Sequence, residues 1–231
     1  MYELQYCIAD TQLILRSDFA ISSDSSWDLF AHRANQFCFF YECRMHENIP
    51  DISGKRYFDT IRQRDYALTV ESENQMQLHL SKENLPWGSN ISQLYPQLAL
   101  PHVLLMRNKL LLHASYIITD QGAIVFTAPS GTGKSTQAEL WRQHRNAFVV
   151  NGDRAVVAVK DAQAYAYGFP LSGSSSDCHN RTEKLLAIVS LQQAPRNEVR
   201  KLPIGEAVGI LANGSYLPEA YRTDMPALID A

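Results

Sequence analysis

The sequence predicts an α/β fold in two parts: a small, mostly β module at residues 1–90 and an α/β domain at residues 91–231. Three observations favour this fold class. In the first part, short apolar segments alternate with polar turns. In the second part, apolar strand segments stand on both sides of a helical segment. Between the second of these strands and that helix lies a glycine-rich segment, Ala128–Ser135.

In the first module, apolar runs bounded by polar residues predict strands. Residues 2–8 and 11–16 have the pattern of a β-hairpin around the turn Ala9–Asp10. Further strands are predicted at Phe37–Tyr41, Tyr66–Val70 and Met76–Leu80. Polar connectors are expected at Ser22–Ser26 and His46–Lys55. No motif in this module indicates a chemical activity.

In the second part, apolar residues recur at helical spacing from Ile91 to Arg107, although Pro96 and Pro101 disturb the run. Helices are also predicted at Lys134–His144, Ile204–Ala212 and Glu219–Tyr221. Strands are predicted at Lys109–Thr119, Ala123–Thr127, Ala147–Asn151, Ala155–Val159, Gln163–Phe169 and Leu185–Leu191.

Composition excludes several classes of protein. The apolar fraction of 45% is enough for a packed core, and a net charge of −3 provides no basic field for nucleic acid. The four cysteines, at positions 7, 38, 43 and 178, form no CxxC pair, so we expect reduced core thiols and no metal site built from them. The N-terminus lacks the pattern of a signal peptide, and His and cationic residues interrupt the longest apolar tract, Leu98–Ile118. We therefore expect a cytoplasmic protein that binds no membrane.

The segment Ala128–Ser135 (APSGTGKS) matches the phosphate-loop pattern [AG]-x4-G-K-[ST]. Gly131 and Gly133 permit backbone angles that turn successive N–H groups toward a phosphate. The N-terminus of the following helix adds a positive partial charge. A chance match is the alternative, but a strand before the segment and a helix after it argue against chance. We expect ATP to be held by Ser130, Gly131, Thr132, Gly133, Lys134, Ser135 and Thr136. Lys134 would reach the β- and γ-phosphates, and the Ser135 hydroxyl would be a ligand of Mg²⁺.

An aspartate follows the loop closely. Asp153 ends the segment FVVNGD, nineteen residues after Lys134, which is room for one helix, a turn and a strand directly beside the loop. There its carboxylate would either coordinate Mg²⁺ or accept the proton of an attacking hydroxyl. The alternative is an ordinary turn residue, because Asn-Gly-Asp favours turns.

Together these features resemble the HPr kinase/phosphorylase family within the phosphoenolpyruvate carboxykinase superfamily, most nearly the small peptide serine kinases that modify lasso-peptide precursors. The resemblance spans Leu111 to Leu211 and includes the stretch PLSG at residues 170–173. The family carries a histidine on the strand before the loop, and His113, fifteen residues before Ala128, matches that spacing. The resemblance implies that His113 contacts the γ-phosphate or arranges Asp153, unless it is a polar side chain satisfied in the core.

The sequence also departs from the HPr kinases. They have an acidic pair where this chain has Gly152 and Asp153, and a glutamate where it has Thr136. The glycine-rich signature linked to phosphorolysis is absent, so neither phosphorylase activity nor HPr as a substrate is expected. The chain also stops at Ala231, short of its relatives.

The function expected from these features is Mg²⁺-dependent transfer of the γ-phosphoryl group of ATP to a Ser or Thr hydroxyl of a peptide or protein, with Asp153, His113 and Lys134 as catalytic residues. The loop Ser172–Ser176 and Arg181 are candidates for contact with the acceptor or for a cation at the transition state, and a solvated linker is the alternative for the loop. Two other functions stay open: a small-molecule kinase, and a nucleotide-binding regulatory protein without transfer activity. A homo-oligomer is compatible with the sequence.

Overall fold

A computed structural model describes residues 1–33, 38–51, 55–59, 64–84 and 89–216, and gives the backbone alone at 55–59 and 64–65. The chain divides into two compact units, Met1–Leu100 and Pro101–Ala231, and the predicted boundary near residue 90 precedes this division. Each unit contains one six-stranded sheet and few helices, so the protein is mixed α/β.

The strands of the first unit are β1 (Tyr2–Ile8), β2 (Thr11–Ser17), β3 (Phe39–His46), β4 (Lys55–Asp59), β5 (Arg64–Ser72) and β6 (Gln75–Ser81). Its sheet has the order β1-β2-β3-β6-β5-β4, with β3 parallel to both of its neighbours. The predicted hairpin is confirmed, because β1 and β2 pair antiparallel around Ala9 and Asp10, both at positive φ. The predicted strand at Phe37–Tyr41 corresponds to β3, although Phe37 lies outside the described residues.

Two elements of this unit were not predicted: a helix that begins within the connector expected at Ser22–Ser26, and a strand that begins at Lys55, the last residue of the other expected connector. Helix α1 (Ser25–Asp28) begins within the serine-rich stretch, because the Asp24 carboxylate accepts hydrogen bonds from the amides of Ser26 and Trp27 and so caps the helix. Strand β4 lies at the edge of the sheet and pairs only with β5 among the described strands. An edge strand needs no apolar alternation on both faces, which explains why its polar sequence was not predicted as a strand.

The predicted helical run from Ile91 to Arg107 is broken into short turns. These are α2 (Ile91–Leu94), a 3₁₀ turn at Tyr95–Gln97 and α3 (Leu100–Leu105). Pro96 and Pro101 each fall in the first turn of a segment, where the missing N–H costs no hydrogen bond. The two prolines therefore divide the run, although its helically spaced apolar side chains are buried: Leu94, Leu98, Leu100, Val103 and Leu104.

The second unit contains β7 (Lys109–Thr119), β8 (Gly122–Thr127), α4 (Lys134–Arg145), β9 (Phe148–Asn151), β10 (Arg154–Lys160), β11 (Gln163–Tyr167), β12 (Thr182–Ser190) and α5 (Ile204–Gly214). Each corresponds to a predicted element, whereas the helix predicted at Glu219–Tyr221 lies outside the described residues. The sheet order is β10-β11-β12-β8-β7-β9, and β10 also pairs with β7. That extra pairing makes β7, β8, β12, β11 and β10 a closed ring.

Strand β7 organises the second unit because it pairs with β8 along one edge and with β9 and then β10 along the other. Strands β7 and β8 are apolar on both faces and bury both. Leu112, Tyr116 and Val125 lie in one apolar cluster, and Ile117 and Phe126 lie in another with Ala138 of α4. The sheet therefore holds the segment after β8 and the bend between β9 and β10 beside the middle of β7, on its two opposite edges.

The remaining sequence expectations concern cysteine and the membrane. All four cysteines are free thiols, and those at positions 38, 43 and 178 are buried. Burial raises the pKa of the Cys43 thiol. Within the described residues, no helix is long and apolar enough to cross a membrane.

Candidate functional site

The phosphate-loop segment connects the end of β8 to the start of α4. Gly131 and Gly133 have φ angles of +77° and +116°, in the left-handed region that favours glycine. Helix α4 begins directly after Gly133, which as the N-cap residue offers no side chain to its first amides. These N-terminal amides and the helix dipole make a site suited to an anion. The side chains of Ser130, Ser135 and Thr136 are exposed around it.

Lys134 is the first residue of α4 and only 6% of it is exposed. Its Nζ donates hydrogen bonds to the carbonyl oxygens of Ala128, at 2.9 Å, and Pro129, at 3.3 Å. Burial lowers the pKa of Lys134, and the negative charge of Asp153 opposes that shift. The ammonium group thus lies inside the loop, within the electrostatic range of the aspartate.

The bend at Gly152 and Asp153 lies between β9 and β10, and a buried amide shapes it. Asn151 is fully buried, and its Oδ1 accepts hydrogen bonds from the amides of Asp153, at 2.9 Å, and Arg154, at 2.8 Å. Its Nδ2 donates to the carbonyls of Phe169, at 2.9 Å, and Leu171, at 3.0 Å. One side chain therefore fixes the Asp153 backbone and joins it to the segment that follows β11.

Three side chains converge on the Asp153 carboxylate. His113 Nε2 lies 3.3 Å from Oδ1, while Arg154 Nη1 and Tyr216 Oη lie 3.2 and 3.4 Å from Oδ2. The pairing of β7 with β10 places His113 directly opposite Arg154. A carboxylate only accepts hydrogen bonds, so a hydrogen bond across this contact requires a proton on Nε2 of His113.

Aromatic contacts hold the same group together. The Arg154 guanidinium lies over the Tyr216 ring, 4.9 Å from its centroid, and the rings of His113 and Tyr216 are 5.6 Å apart. Burial is the largest cause of the lowered pKa of His113; Lys134 and Arg154 add to it, while Asp153 opposes it. Burial also raises the pKa of Tyr216. A neutral imidazole and a neutral phenol thus flank one carboxylate.

The bend and the loop are in direct contact, because Ser135 Oγ donates a hydrogen bond to the Gly152 carbonyl at 3.1 Å. This contact brings the Ser135 hydroxyl and the Asp153 carboxylate to neighbouring positions. Within the described ranges, no group of three or more His, Cys, Asp or Glu side chains could hold a metal. Mg²⁺ at a triphosphate needs no such cage, since one or two protein oxygens and the phosphates suffice, so this pair fits the ion.

The missing second carboxylate has a steric explanation. A Cβ atom on Gly152 would lie 2.4 Å from Cβ of Ser175, closer than real carbon atoms approach. Position 152 therefore accepts only glycine while Ser175 stays in place. The packing of the loop Ser172–Ser176 against the bend is thus incompatible with a carboxylate side chain at position 152.

That loop is well ordered by hydrogen bonds within itself. The Ser175 amide donates to the Ser172 carbonyl at 3.0 Å, and Ser172 Oγ donates to the Ser175 carbonyl at 2.7 Å. At its end, Asp177 pairs with Arg142 of α4 at 2.6 Å. The loop is therefore a hydrogen-bonded turn whose residues Gly173, Ser174 and Ser176 are exposed, and its contact with an acceptor stays a prediction.

Arg181 does not lie beside the Asp153 bend. Its guanidinium is 5.8 Å from the ring centroid of Phe148, at the start of β9, whereas Asp153 follows the end of that strand. Phe148 pairs with Ile118 of β7, whereas Thr127, which precedes the phosphate loop, pairs with Ala114, so about four residues of β7, or ~13 Å, separate them. The structure thus does not bring Arg181 to the loop, and Arg154 is the cation beside Asp153.

Of the residues predicted from sequence, His113, Lys134, Ser135 and Asp153 meet beside the middle of β7. Arg154, Tyr216 and Asn151 were not predicted. Arg154 directly follows Asp153, and Asn151 starts the Asn-Gly-Asp turn, so the motif itself pointed to both. No sequence signal indicated Tyr216, which is 63 residues from Asp153 and reaches it through the backbone hydrogen bond of its amide to the Leu111 carbonyl.

Comparison with known proteins adds little to this geometry. No known family matches the sequence, and no curated protein matches it. A solved structure, the HPr(Ser) kinase/phosphatase from Coxiella burnetii, superposes with a TM-score of 0.31 and 14% sequence identity. The superposition covers 41% of this chain and 66% of that one, so the chain spans about two thirds of that protein. The likeness is weak, and membership of the HPr kinase family stays a prediction.

Proposed function

We propose that the chain is an ATP- and Mg²⁺-dependent kinase that transfers the γ-phosphoryl group to a Ser or Thr hydroxyl of a peptide or protein. One observation carries the proposal: the bend bearing Asp153 is hydrogen-bonded to the phosphate-loop serine, Ser135. A carboxylate, a histidine and an arginine thus stand beside a lysine-bearing anion site. Phosphoryl transfer requires positioning and neutralisation of charge more than covalent chemistry, and this arrangement supplies both.

The loop residues bind the nucleotide. Amides from Ser130 to Thr136 and the Lys134 ammonium would hold the β- and γ-phosphates, and Lys134 would exchange its carbonyl partners, Ala128 and Pro129, for phosphate oxygens. Ser135 and Asp153 would hold Mg²⁺, which when bound neutralises charge on the phosphates.

The side chains around Asp153 act on the acceptor. The carboxylate is the acceptor for the hydroxyl proton. Arg154 and Tyr216 both contact Oδ2, whereas Oδ1 is contacted by His113 alone and retains a lone pair. Arg154 provides a fixed positive charge at the place where negative charge develops on the transferred group. His113, a ring N–H donor at the same carboxylate, orients it.

The distribution of cations favours a peptide hydroxyl over a small acidic metabolite. A carboxylate or phosphate on a small acceptor would need several Arg or Lys side chains around the bend. Between Asp153 and Ser190, Arg154 contacts the Asp153 carboxylate, Arg181 is at the other end of β9, and Lys160 ends β10. Lys184, near the start of β12, is also at the far end of the sheet. A neutral hydroxyl on a peptide needs no such cluster.

Nucleotide binding tests the proposal through Lys134→Ala. Loss of charged hydrogen bonds worth about 1.5–3 kcal/mol should weaken MgATP binding about 10- to 100-fold in calorimetric titration. The matched control is Lys160→Ala, an exposed lysine on β10, which should bind as the wild type does. Thermal unfolding of both variants verifies that they are folded. Equal affinity in folded Lys134→Ala would eliminate the loop as the nucleotide site.

A further inference from the structure

The loop Ser172–Ser176 packs against the carboxylate of Asp153, the proposed catalytic residue. Gly173 has a φ of +61°, and a Cβ atom there would lie 2.8 Å from Cγ and 3.0 Å from Oδ2 of Asp153. The main chain of this loop is therefore in van der Waals contact with the carboxylate.

Both ends of the loop are anchored. Asn151 holds the Leu171 carbonyl before it, and Arg142 of the phosphate-loop helix pairs with Asp177 after it. The hydrogen bond from the Ser175 amide to the Ser172 carbonyl closes a four-residue turn, with Gly173 and Ser174 at its two central positions. The turn thus presents Ser174 at a defined place beside the bend.

The serine hydroxyls of the loop have different roles. Ser172 Oγ bonds the Ser175 carbonyl, and Ser175 Oγ accepts the Asp177 amide at 3.1 Å, so both maintain the turn. Ser174 and Ser176 are exposed, and neither hydroxyl bonds to any residue that the structure describes. Of these two, Ser174 adjoins Gly173. Consecutive Cα atoms are about 3.8 Å apart, so the Ser174 Cα lies within about 8 Å of the Asp153 carboxylate.

We propose that Ser174 is a site of self-phosphorylation: this loop occupies the acceptor side of the site, and its exposed serine receives the γ-phosphoryl group of ATP. In this step the Ser174 Oγ–phosphorus bond forms while the bond from the γ-phosphorus to the β,γ-bridging oxygen breaks. ADP leaves with that electron pair, and Asp153 takes the hydroxyl proton. The inference rests on the proposed kinase function and names one acceptor for it.

Tandem mass spectrometry of the full chain after incubation with MgATP tests the assignment. We expect one phosphoryl group on Ser174, absent without ATP and absent in Ser174→Ala. Ser176→Ala, an exposed serine two residues away, is the matched control and should be labelled as the wild type is. Asp153→Asn should bind ATP and stay unlabelled. A labelled fraction that does not depend on protein concentration would show transfer within one molecule.

Three results would overturn the inference. Phosphate on another residue, or undiminished labelling of Ser174→Ala, removes Ser174 as the acceptor. Transfer to an added peptide pool by a wild-type protein that stays unlabelled overturns the self-phosphorylation alone and leaves the kinase function intact. A wild-type protein that does not bind ATP overturns both.

Discussion

Each unit of the chain contains a histidine with a lowered pKa, and the surroundings of the two rings differ. In the first unit, His79 is 6% exposed and its Nδ1 lies 3.0 Å from Nε2 of His46. In the second, His113 Nε2 lies 3.3 Å from the Asp153 carboxylate. Burial is the largest cause of the lowered pKa in both rings. A histidine with a lowered pKa therefore does not by itself indicate a functional site.

What distinguishes His113 is its partner. His46 belongs to β3, which pairs in regular register with β6, the strand of His79. Asp153 instead occupies a bend between two strands, and a buried amide, a glycine and a serine loop hold it there. Its carboxylate is shared with a cation and a phenol beside a phosphate loop. Convergence of different chemical groups at an irregular backbone position is the more informative observation.

The largest expected effect on stability comes from substituting Asn151, whose side chain holds the bend in place. Asn151→Leu removes a fully buried side chain that satisfies two amides and two carbonyls. We expect the free energy of unfolding to fall by about 2–4 kcal/mol, measured by urea denaturation.

The matched control is Asn180→Leu, an exposed asparagine in the same unit, which should change stability by less than about 0.5 kcal/mol. If the two variants unfold at the same urea concentration, Asn151 does not hold the bend, and the contrast with the regular His46–His79 pair is lost.

A smaller effect is expected in the first unit, where His79 should make stability depend on pH. Burial, His46 and Arg44 lower its pKa, and Glu71 and Glu42 oppose that shift. The unfolded chain then binds a proton near the ordinary pKa of 6.5 that the folded unit does not yet bind. The contribution of His79 to stability is thus fully present above about pH 6.5 and lost as pH falls through the folded pKa.

Urea unfolding between pH 7.5 and 5.5 measures this dependence. The fall in unfolding free energy toward low pH should be shallower in His79→Gln than in the wild type. His32→Gln, an exposed histidine of the same unit, should retain the wild-type slope. An unchanged slope in His79→Gln would show that the ring is not responsible.

The same contrast explains what the sequence could predict. Local patterns predicted the hairpin of β1 and β2 and the strand–loop–helix around Lys134, because alternation, glycine positions and helix start signals all act over a few residues. The spacing to Asp153 predicted its place beside the loop, since one helix and one strand leave few alternatives. Contacts between residues that are far apart in the sequence depend on strand register, and local patterns could not predict them.

Tyr216 and Gly152 illustrate that limit. Tyr216 meets Asp153 only because its amide bonds to Leu111 of β7, a contact between distant segments that no local pattern encodes. Gly152 was noted as the loss of a carboxylate, and the structure adds that Ser175 leaves no room for a side chain there. Arg181 was predicted as a candidate together with the Ser172–Ser176 loop that it follows, whereas the cation beside Asp153 is Arg154, the next residue in the chain.

Transfer of a labelled γ-phosphoryl group from MgATP to a peptide pool is the measurement that tests the central claim most directly. We predict label on Ser or Thr, with transfer about 10²- to 10⁴-fold slower in Asp153→Asn while nucleotide binding is retained. Asp161→Asn, an exposed aspartate in the turn after β10, should transfer at the wild-type rate. Label found only in small molecules, or equal transfer by Asp153→Asn, would contradict the assignment of a peptide kinase site at Asp153.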